Sequence, residues 1–325
     1  MDEILRLFSP NLKKEIEASL ANKWTTLQEI RVRLAQPIEL IFDDHETWLT
    51  NLIPTEEDGM YLLNQLSQFS LYRLEDELRE GFITIEGGHR VGLAGKVNTL
   101  NGSVKAIKHI SFFNIRIAKE KVGISRRYIQ YLYKSSYLNT LIIGPPQTGK
   151  TTLLRDFARI ISTGWQDVKP LKTGIVDERS EIGGSINGIP QHQLGLRTDL
   201  MDACPKAEGL MMMIRSMSPD VLVVDEIGNS DDVNALMEAM HAGVRILCSV
   251  HGESLEQLRK RPSLKVLFDH EVFDRFVILS RTKRPGMIEK IVTKEGQNIF
   301  KKPRCESNEM DRSTSIIKRH HVGGV

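Results

Sequence analysis

The sequence predicts an α/β protein in which a smaller α+β module precedes a core built on a mostly parallel sheet. Three observations predict it. In residues 138–298 short continuous apolar runs alternate with helical patterns, as strands buried on both faces do. Residues 1–120 instead mix alternating strand patterns with amphipathic helical ones. A length of 325 residues accommodates both units.

Residues 9–20 open with Ser9 in an N-cap position and Pro10 at the first helical position, and Leu12, Ile16 and Leu20 follow four apart, predicting a short amphipathic helix. Ile30, Val32 and Leu34 alternate with other residues, break at Pro37 and resume at Ile38, Leu40 and Ile41, which reads as two short strands or one bent strand. A second helical pattern covers about residues 57–79. Alternation at Val91, Leu93 and Val97, a hairpin turn at Asn101 and Gly102, and Ile115 and Ile117 around Arg116 make a β-rich block. Residues 121–137 read as a helical or partly helical linker. Core strands are expected at residues 141–143, 175–176, 221–224, 246–250 and 276–279, and residues 299–325 as a frayed, polar, basic tail.

Composition narrows the function. With 40% hydrophobic residues and 44 Lys+Arg against 42 Asp+Glu, the chain is globular, and its net charge of +2 argues against a nucleic-acid coat. Three scattered cysteines, Cys204, Cys248 and Cys305, suit a reducing compartment and exclude a disulfide scaffold or a cysteine-rich zinc site. Asp2 and Glu3 open the chain and no long apolar stretch follows, so neither a signal peptide nor a transmembrane helix is predicted. Work at a membrane would need another subunit to hold the protein there.

Gly144, Pro145, Pro146, Gln147, Thr148, Gly149, Lys150 and Thr151 fit the phosphate-binding loop G-x-x-x-x-G-K-[ST] at every fixed position, between an apolar strand and an amphipathic helix. Glycines let backbone amides approach phosphate oxygens, and the helix N-terminus favours an anion. Lys150 should bind the β- and γ-phosphates, Thr151 the magnesium ion, and Thr152 lies near the α-phosphate. The apolar run of residues 221–224 then ends in Asp225, which can hold the magnesium shell, and Glu226, which can polarise an attacking water. A carboxylate poised for water favours hydrolysis over passive nucleotide binding.

Three positions stay open on the residues alone. His251 ends the strand of residues 246–250, where it is either a γ-phosphate sensor or a surface histidine. Asp177, Glu178 and Arg179 follow a strand at the sheet rim, where ligands bind, but also suit an ordinary acidic turn. Arg215, ahead of Pro219 and Asp220, suits a salt bridge as well as a catalytic role.

Taken in order, the loop of residues 144–152, the acidic stretch Val176, Asp177, Glu178 and Arg179, the segment of residues 214–226 with Arg215, Pro219 and Asp220 ahead of Asp225 and Glu226, and Ser249 to Gly252 around His251 resemble the secretion ATPase superfamily. Residues 29–33 and 36–40 are similar to the opening strand of the small domain that precedes its core. Residues 86–93, 113–118, 138–142 and 215–220 together resemble a branch of that superfamily that acts in endospore formation. The resemblance implies a RecA-like core, ATP and Mg²⁺ as ligands, and a homo-oligomer, with a hexamer as the family pattern. It implies work in the mother-cell cytoplasm on a secretion-like channel to the forespore, with integral-membrane subunits as partners.

It assigns Glu178 to the acidic box, Glu226 to the catalytic glutamate and His251 to the histidine box. Arg90 and Arg116 fall near arginines that reach the γ-phosphate in related enzymes. Asp225 stands where several pilus motors have glycine, and no tetracysteine zinc module is present. Two rival readings are a RecA-like ATPase acting on nucleic acid and a structural ring that binds ATP without turnover.

Overall fold

A computed structural model describes residues 1–67, 81–100, 103–280 and 285–300. Two sheets organise them. The first has six antiparallel strands in the order β3-β2-β1-β6-β5-β4, with β1 Leu27–Arg33, β2 Ile38–Phe42, β3 Glu46–Leu49, β4 Phe82–Ile85, β5 His89–Leu100 and β6 Ser103–Arg116. The expected break at Pro37 falls between β1 and β2. The pairing of β5 with β6 closes at Leu100 and Ser103, and the expected turn residues Asn101 and Gly102 lie outside the described residues.

Helices α1 Asp2–Leu5, α2 Pro10–Leu20 and α3 Glu56–Leu66 accompany this sheet. Leu12, Ile16 and Leu20 of α2 are buried with Ile30, Val32, Leu40, Val91, Leu93, Phe113 and Ile115, so the inward positions of each strand and the four-residue rhythm of α2 meet in one core. Ser9 occupies the N-cap of α2, but its hydroxyl donates to Asp58 Oδ1 at 2.6 Å and ties α2 to α3. The remainder of the helical pattern expected to residue 79 lies outside the described residues from residue 68 onward.

The second sheet has seven strands in the order β13-β12-β7-β11-β10-β8-β9: β7 Thr140–Gly144, β8 Thr173–Asp177, β9 Thr198–Asp202, β10 Val221–Val224, β11 Arg245–His251, β12 Arg275–Leu279 and β13 Ile288–Thr293. Every pairing is parallel except β12 with β13. β7, β8 and β10 are buried at each position, which is why they read as continuous apolar runs. The edge strands β9 and β13 escape that reading. β9 is half-buried throughout and carries Asp199 and Asp202, and Glu289 and Lys290 interrupt the apolar run of β13.

Both faces of this sheet are covered. On one, α5 Lys206–Met217, α6 Ser230–His241, α7 Leu255–Arg259 and α8 Lys265–Asp269 contribute Leu210, Leu236, Leu258 and Leu267 to a core with Val224 and Cys248. On the other, Leu153, Leu154 and Phe157 of α4 Lys150–Thr163 meet Ile142, Ile175 and Val223. Among the described residues no helix is long and apolar enough to cross a membrane.

The stretch expected as a linker, residues 121–137, is helical only in a single 3₁₀ turn, Ile129–Leu132, and packs on α4. Tyr128, Ile129, Leu132 and Tyr137 are buried beside Phe157. Asp156 of α4, 3% exposed, accepts hydrogen bonds from Gly123 N at 2.9 Å, Ser125 N at 2.7 Å and Ser125 Oγ at 2.6 Å. Arg275 Nε donates to Tyr131 O at 2.9 Å. The crossing between the two sheets is thereby confined to residues 119–122, after Ala118 N binds His89 Nδ1 and before Gly123 binds Asp156.

Asp156→Ala leaves two backbone N–H groups without their acceptor and removes a buried partner of Arg159. Urea unfolding should show a loss of about 3 kcal/mol. A loss below about 1 kcal/mol, the worth of one ordinary hydrogen bond, would show that the stretch is not held in this way.

Candidate active site

Strand register assembles the site. Because β7, β11, β10 and β8 run parallel and neighbour one another, their C-terminal ends share one rim of the sheet. His251 pairs with Gly144, and Val224 with Val176, which sets Asp225 level with Asp177. The glycine-rich loop, the acidic stretch after Val176, Asp225 with Glu226, and His251 therefore converge on this rim.

The glycine-rich loop leaves β7 and turns into α4. Gly149 has φ +86°, and a Cβ there would stand 2.6 Å from Gly286 N, so only glycine fits both the turn and the strand of chain that covers it. Gln147 is also left-handed, at φ 61°. Thr148 Oγ1 donates to Pro145 O at 2.7 Å, and Gly286 N donates to Thr148 O at 2.8 Å, which closes the loop. Pro146 and Gln147 are exposed, and Thr151 and Thr152 sit half-buried in the first turn of α4.

Lys150 is the first residue of α4 and is 5% exposed. Its Nζ donates to Pro145 O and to His251 Nδ1, both at 3.0 Å. Burial holds its pKa below the ordinary lysine value, against the pull of Glu226 and Glu181. Because Nδ1 accepts from Lys150, the opposite ring nitrogen carries the proton, and His251 Nε2 lies 2.6 Å from Glu226 Oε1. Glu226 Oε2 in turn meets Arg179 Nη1 at 3.0 Å. A continuous chain thus runs from Lys150 through His251 and Glu226 to Arg179. Glu226 itself has φ 37°, a left-handed backbone that costs a non-glycine residue about 1–3 kcal/mol and re-aims its side chain just past the strand.

Asp225 lies beside this chain and differs from it. It is 1% exposed, and neither carboxylate oxygen has a hydrogen-bond partner. Burial, and after it the nearby Asp177, pushes its pKa up to about 7, against the pull of Lys206. A buried carboxylate with both oxygens bare fits a divalent cation. Among the described residues no group of three or more His, Cys, Asp or Glu gathers for a metal. Magnesium does not require one, since it takes one or two carboxylates and completes its shell with water and phosphate. Asp225 and the Thr151 hydroxyl fit that donor set.

The acidic stretch divides its labour. Asp177, fully buried, accepts from Glu181 N at 2.9 Å and from Ile182 N and Gly183 N at 2.8 Å, and burial still raises its pKa to about 6. It shapes the loop that follows β8. Glu178 pairs with Lys206, which is buried. Glu181 pairs with Arg90 of the antiparallel sheet at 3.0 Å, and Arg90 Nη2 donates to Arg179 O at 2.7 Å. His192 wedges between the two units: a Cβ on Gly88 would stand 2.8 Å from its ring and one on Gly184 3.0 Å. Burial and the Arg155 charge push His192 down to about 4, so it docks neutral.

Two expected residues lie apart. Arg215 is exposed in the last turn of α5, the end that leads into β10 and so lies at the opposite rim from Lys150. Arg116 is exposed and neighbours Arg90 across β5 and β6, without reaching the rim groups. Arg155, which the motifs do not mark, donates to Ile182 O at 2.7 Å and Glu181 O at 2.6 Å. Its signal is helical spacing, since four residues past Thr151 it shares that face of α4.

Comparisons with known proteins agree with this architecture. A profile for the family described as "Sporulation stage III, protein AA" matches residues 1–299. The "Stage III sporulation protein AA" of Bacillus subtilis (strain 168) is 54% identical over 296 residues, covering 91% of this chain and 96% of the relative. The ATPase DotB of Legionella pneumophila superposes with a TM-score of 0.56 at 13% identity, over 83% of this chain and 76% of its own. The pilus retraction motor PilT, solved with bound ADP, superposes at 0.57 and 14% identity, over 85% and 77%. Such low identities speak for the fold alone: a RecA-like unit with a mostly parallel sheet, preceded by an antiparallel sheet unit.

Asp177 gives a pH test. Its folded pKa of about 6 lies above the ordinary aspartate value, so the native state holds its proton more tightly. Its stabilising contribution is present below about pH 4 and is lost as pH rises through about 6. Asp177→Asn is less stable overall, because its amide nitrogen must face a backbone N–H. Measured by urea unfolding, the advantage of wild type over this variant should shrink by up to about 3 kcal/mol between pH 4 and 7. A gap that does not change with pH would contradict the assignment.

Proposed function

The chain belongs to the sporulation stage III protein AA family, and from that premise we propose that it is a Mg²⁺-dependent ATPase. Its work is to power or assemble a secretion-like channel between mother cell and forespore, from the mother-cell cytoplasm, as a homo-oligomer recruited by integral-membrane subunits. The observation that supports the reading best is one rim holding Lys150 at the head of α4, Glu226 joined to it through His251, and the bare carboxylate of Asp225.

In this reading the amides of residues 145–149 and the N-terminus of α4 cradle the β-phosphate. Lys150 leaves Pro145 O and His251 for phosphate oxygens, an exchange its partly desolvated charge favours, because burial has already removed much of its water. Thr151 and Asp225 would hold magnesium, which, when bound, would neutralise phosphate charge. Glu226 orients the attacking water and accepts its proton. The strained backbone of Glu226 and the hydrogen bond from its N–H to Ser249 Oγ at 3.1 Å fix that carboxylate before substrate arrives. His251, released by Lys150 and still beside Glu226, then responds to the presence of the γ-phosphate. Positioning and charge supply the rate, since phosphoryl transfer asks for little covalent chemistry from the protein.

Glu226→Gln should bind Mg-ATP and lose turnover by about 10²- to 10⁴-fold in a steady-state phosphate-release assay. Lys150→Ala should weaken nucleotide binding itself. Undiminished turnover in Glu226→Gln would remove the proposed water-orienting role.

A further inference from the structure

Resting on the ATPase reading, we propose that Arg179 is the cation this chain supplies from its own acidic loop to the terminal phosphate of ATP, exchanging Glu226 for that phosphate.

Among the described residues the other cations of the rim are committed. Arg90 binds Glu181 and the carbonyl of residue 179, and its guanidinium lies 3.9 Å from the centre of the Phe82 ring. Arg155 donates to the carbonyls of residues 181 and 182, Lys206 pairs with Glu178, and Arg261 Nη2 donates to His251 O at 3.0 Å. The side chain of Arg179 meets Glu226 and is 58% exposed. An exposed pair of this kind contributes little to stability and breaks readily.

The base of Arg179 is rigid where its tip is not. Arg90 holds its carbonyl, Ser180 is left-handed at φ 52° and donates to Asp202 at 2.7 Å, and Asp177 gathers the next three N–H groups. Such a loop aims a long side chain without ordering its end. A γ-phosphate bound by Lys150, with its attacking water on Glu226, lies within hydrogen-bond range of that water. Arg179 Nη1 already stands 3.0 Å from the same carboxylate, so a change of side-chain torsion carries it to the phosphoryl oxygens. It makes and breaks no covalent bond. It offsets charge as the water–phosphorus bond forms and the bond to ADP breaks, and its fork geometry matches two phosphate oxygens. Departure from Glu226 also frees that carboxylate to take the water proton.

The test uses the full chain with Mg²⁺ in the Glu226→Gln background, where ATP persists, and compares dissociation constants for ATP and ADP. Adding Arg179→Ala should weaken ATP by about 10-fold or more and ADP by less than about 2-fold, because only ATP carries the contacted group. Arg179→Lys should restore part of the ATP affinity. In the otherwise native chain, Arg179→Ala should lower kcat by about 10³-fold. Equal effects on ATP and ADP, or none, would overturn the proposal and leave Arg179 as a partner of Glu226 alone. ADP binding that survives Lys150→Ala would overturn the underlying phosphate-loop reading as well, and separates the two failures.

Discussion

The three backbone N–H groups gathered by the buried carboxylate of Asp177 are the constraint on which the rest of the rim depends. They fix a short loop whose side chains and three of whose carbonyls reach other elements. Its carbonyls at 181 and 182 anchor Arg155 of α4, its Glu181 and the carbonyl of residue 179 anchor Arg90 of the antiparallel sheet, and its Arg179 reaches Glu226. Burying one carboxylate is costly unless it is fully hydrogen-bonded, and the raised pKa of Asp177 measures what its hydrogen bonds leave uncompensated. That cost fixes the backbone of the loop that carries Arg179.

One consequence is mechanical. Residues 123–138 belong to the packing of α4, so relative movement of the two sheets has only residues 119–122 to act through, and the contacts that resist it include Arg90 on the loop, His192 between Gly88 and Gly184, and Glu120 on Gln193 N. Any displacement of the antiparallel sheet therefore pulls on the loop that carries Arg179. On the proposed ATPase reading, phosphate chemistry at one end and sheet position at the other would meet in the same few residues.

Much of this was legible from residue types. A phosphate loop and an apolar strand ending in two carboxylates require fixed residues at fixed spacing, and both lie at the rim where parallel strands end. Long-range pairing was not legible. Nothing local tells that Glu178 turns to Lys206 while its neighbour Asp177 shapes the loop, or that Arg90 meets Glu181 across 91 positions. Arg215 shows a further limit: it stands ahead of Pro219 and Asp220 in sequence, yet its helix and the strand that follows run in opposite senses, which puts it at the far rim. The edge strand β9 escaped because a half-buried edge needs no apolar run, and β13 because Glu289 and Lys290 break its run.

We propose that Lys150 and Asp225 are held ready for a magnesium nucleotide. A crystal structure of the protein with Mg²⁺ and a non-hydrolysable ATP analogue tests it most directly. Phosphate density is expected over residues 144–151, with Lys150 Nζ transferred from His251 to phosphate and a metal ion between the Thr151 hydroxyl and the Asp225 side of the site. A nucleotide bound elsewhere, with the Lys150–His251 contact intact and Asp225 still bare, would contradict it.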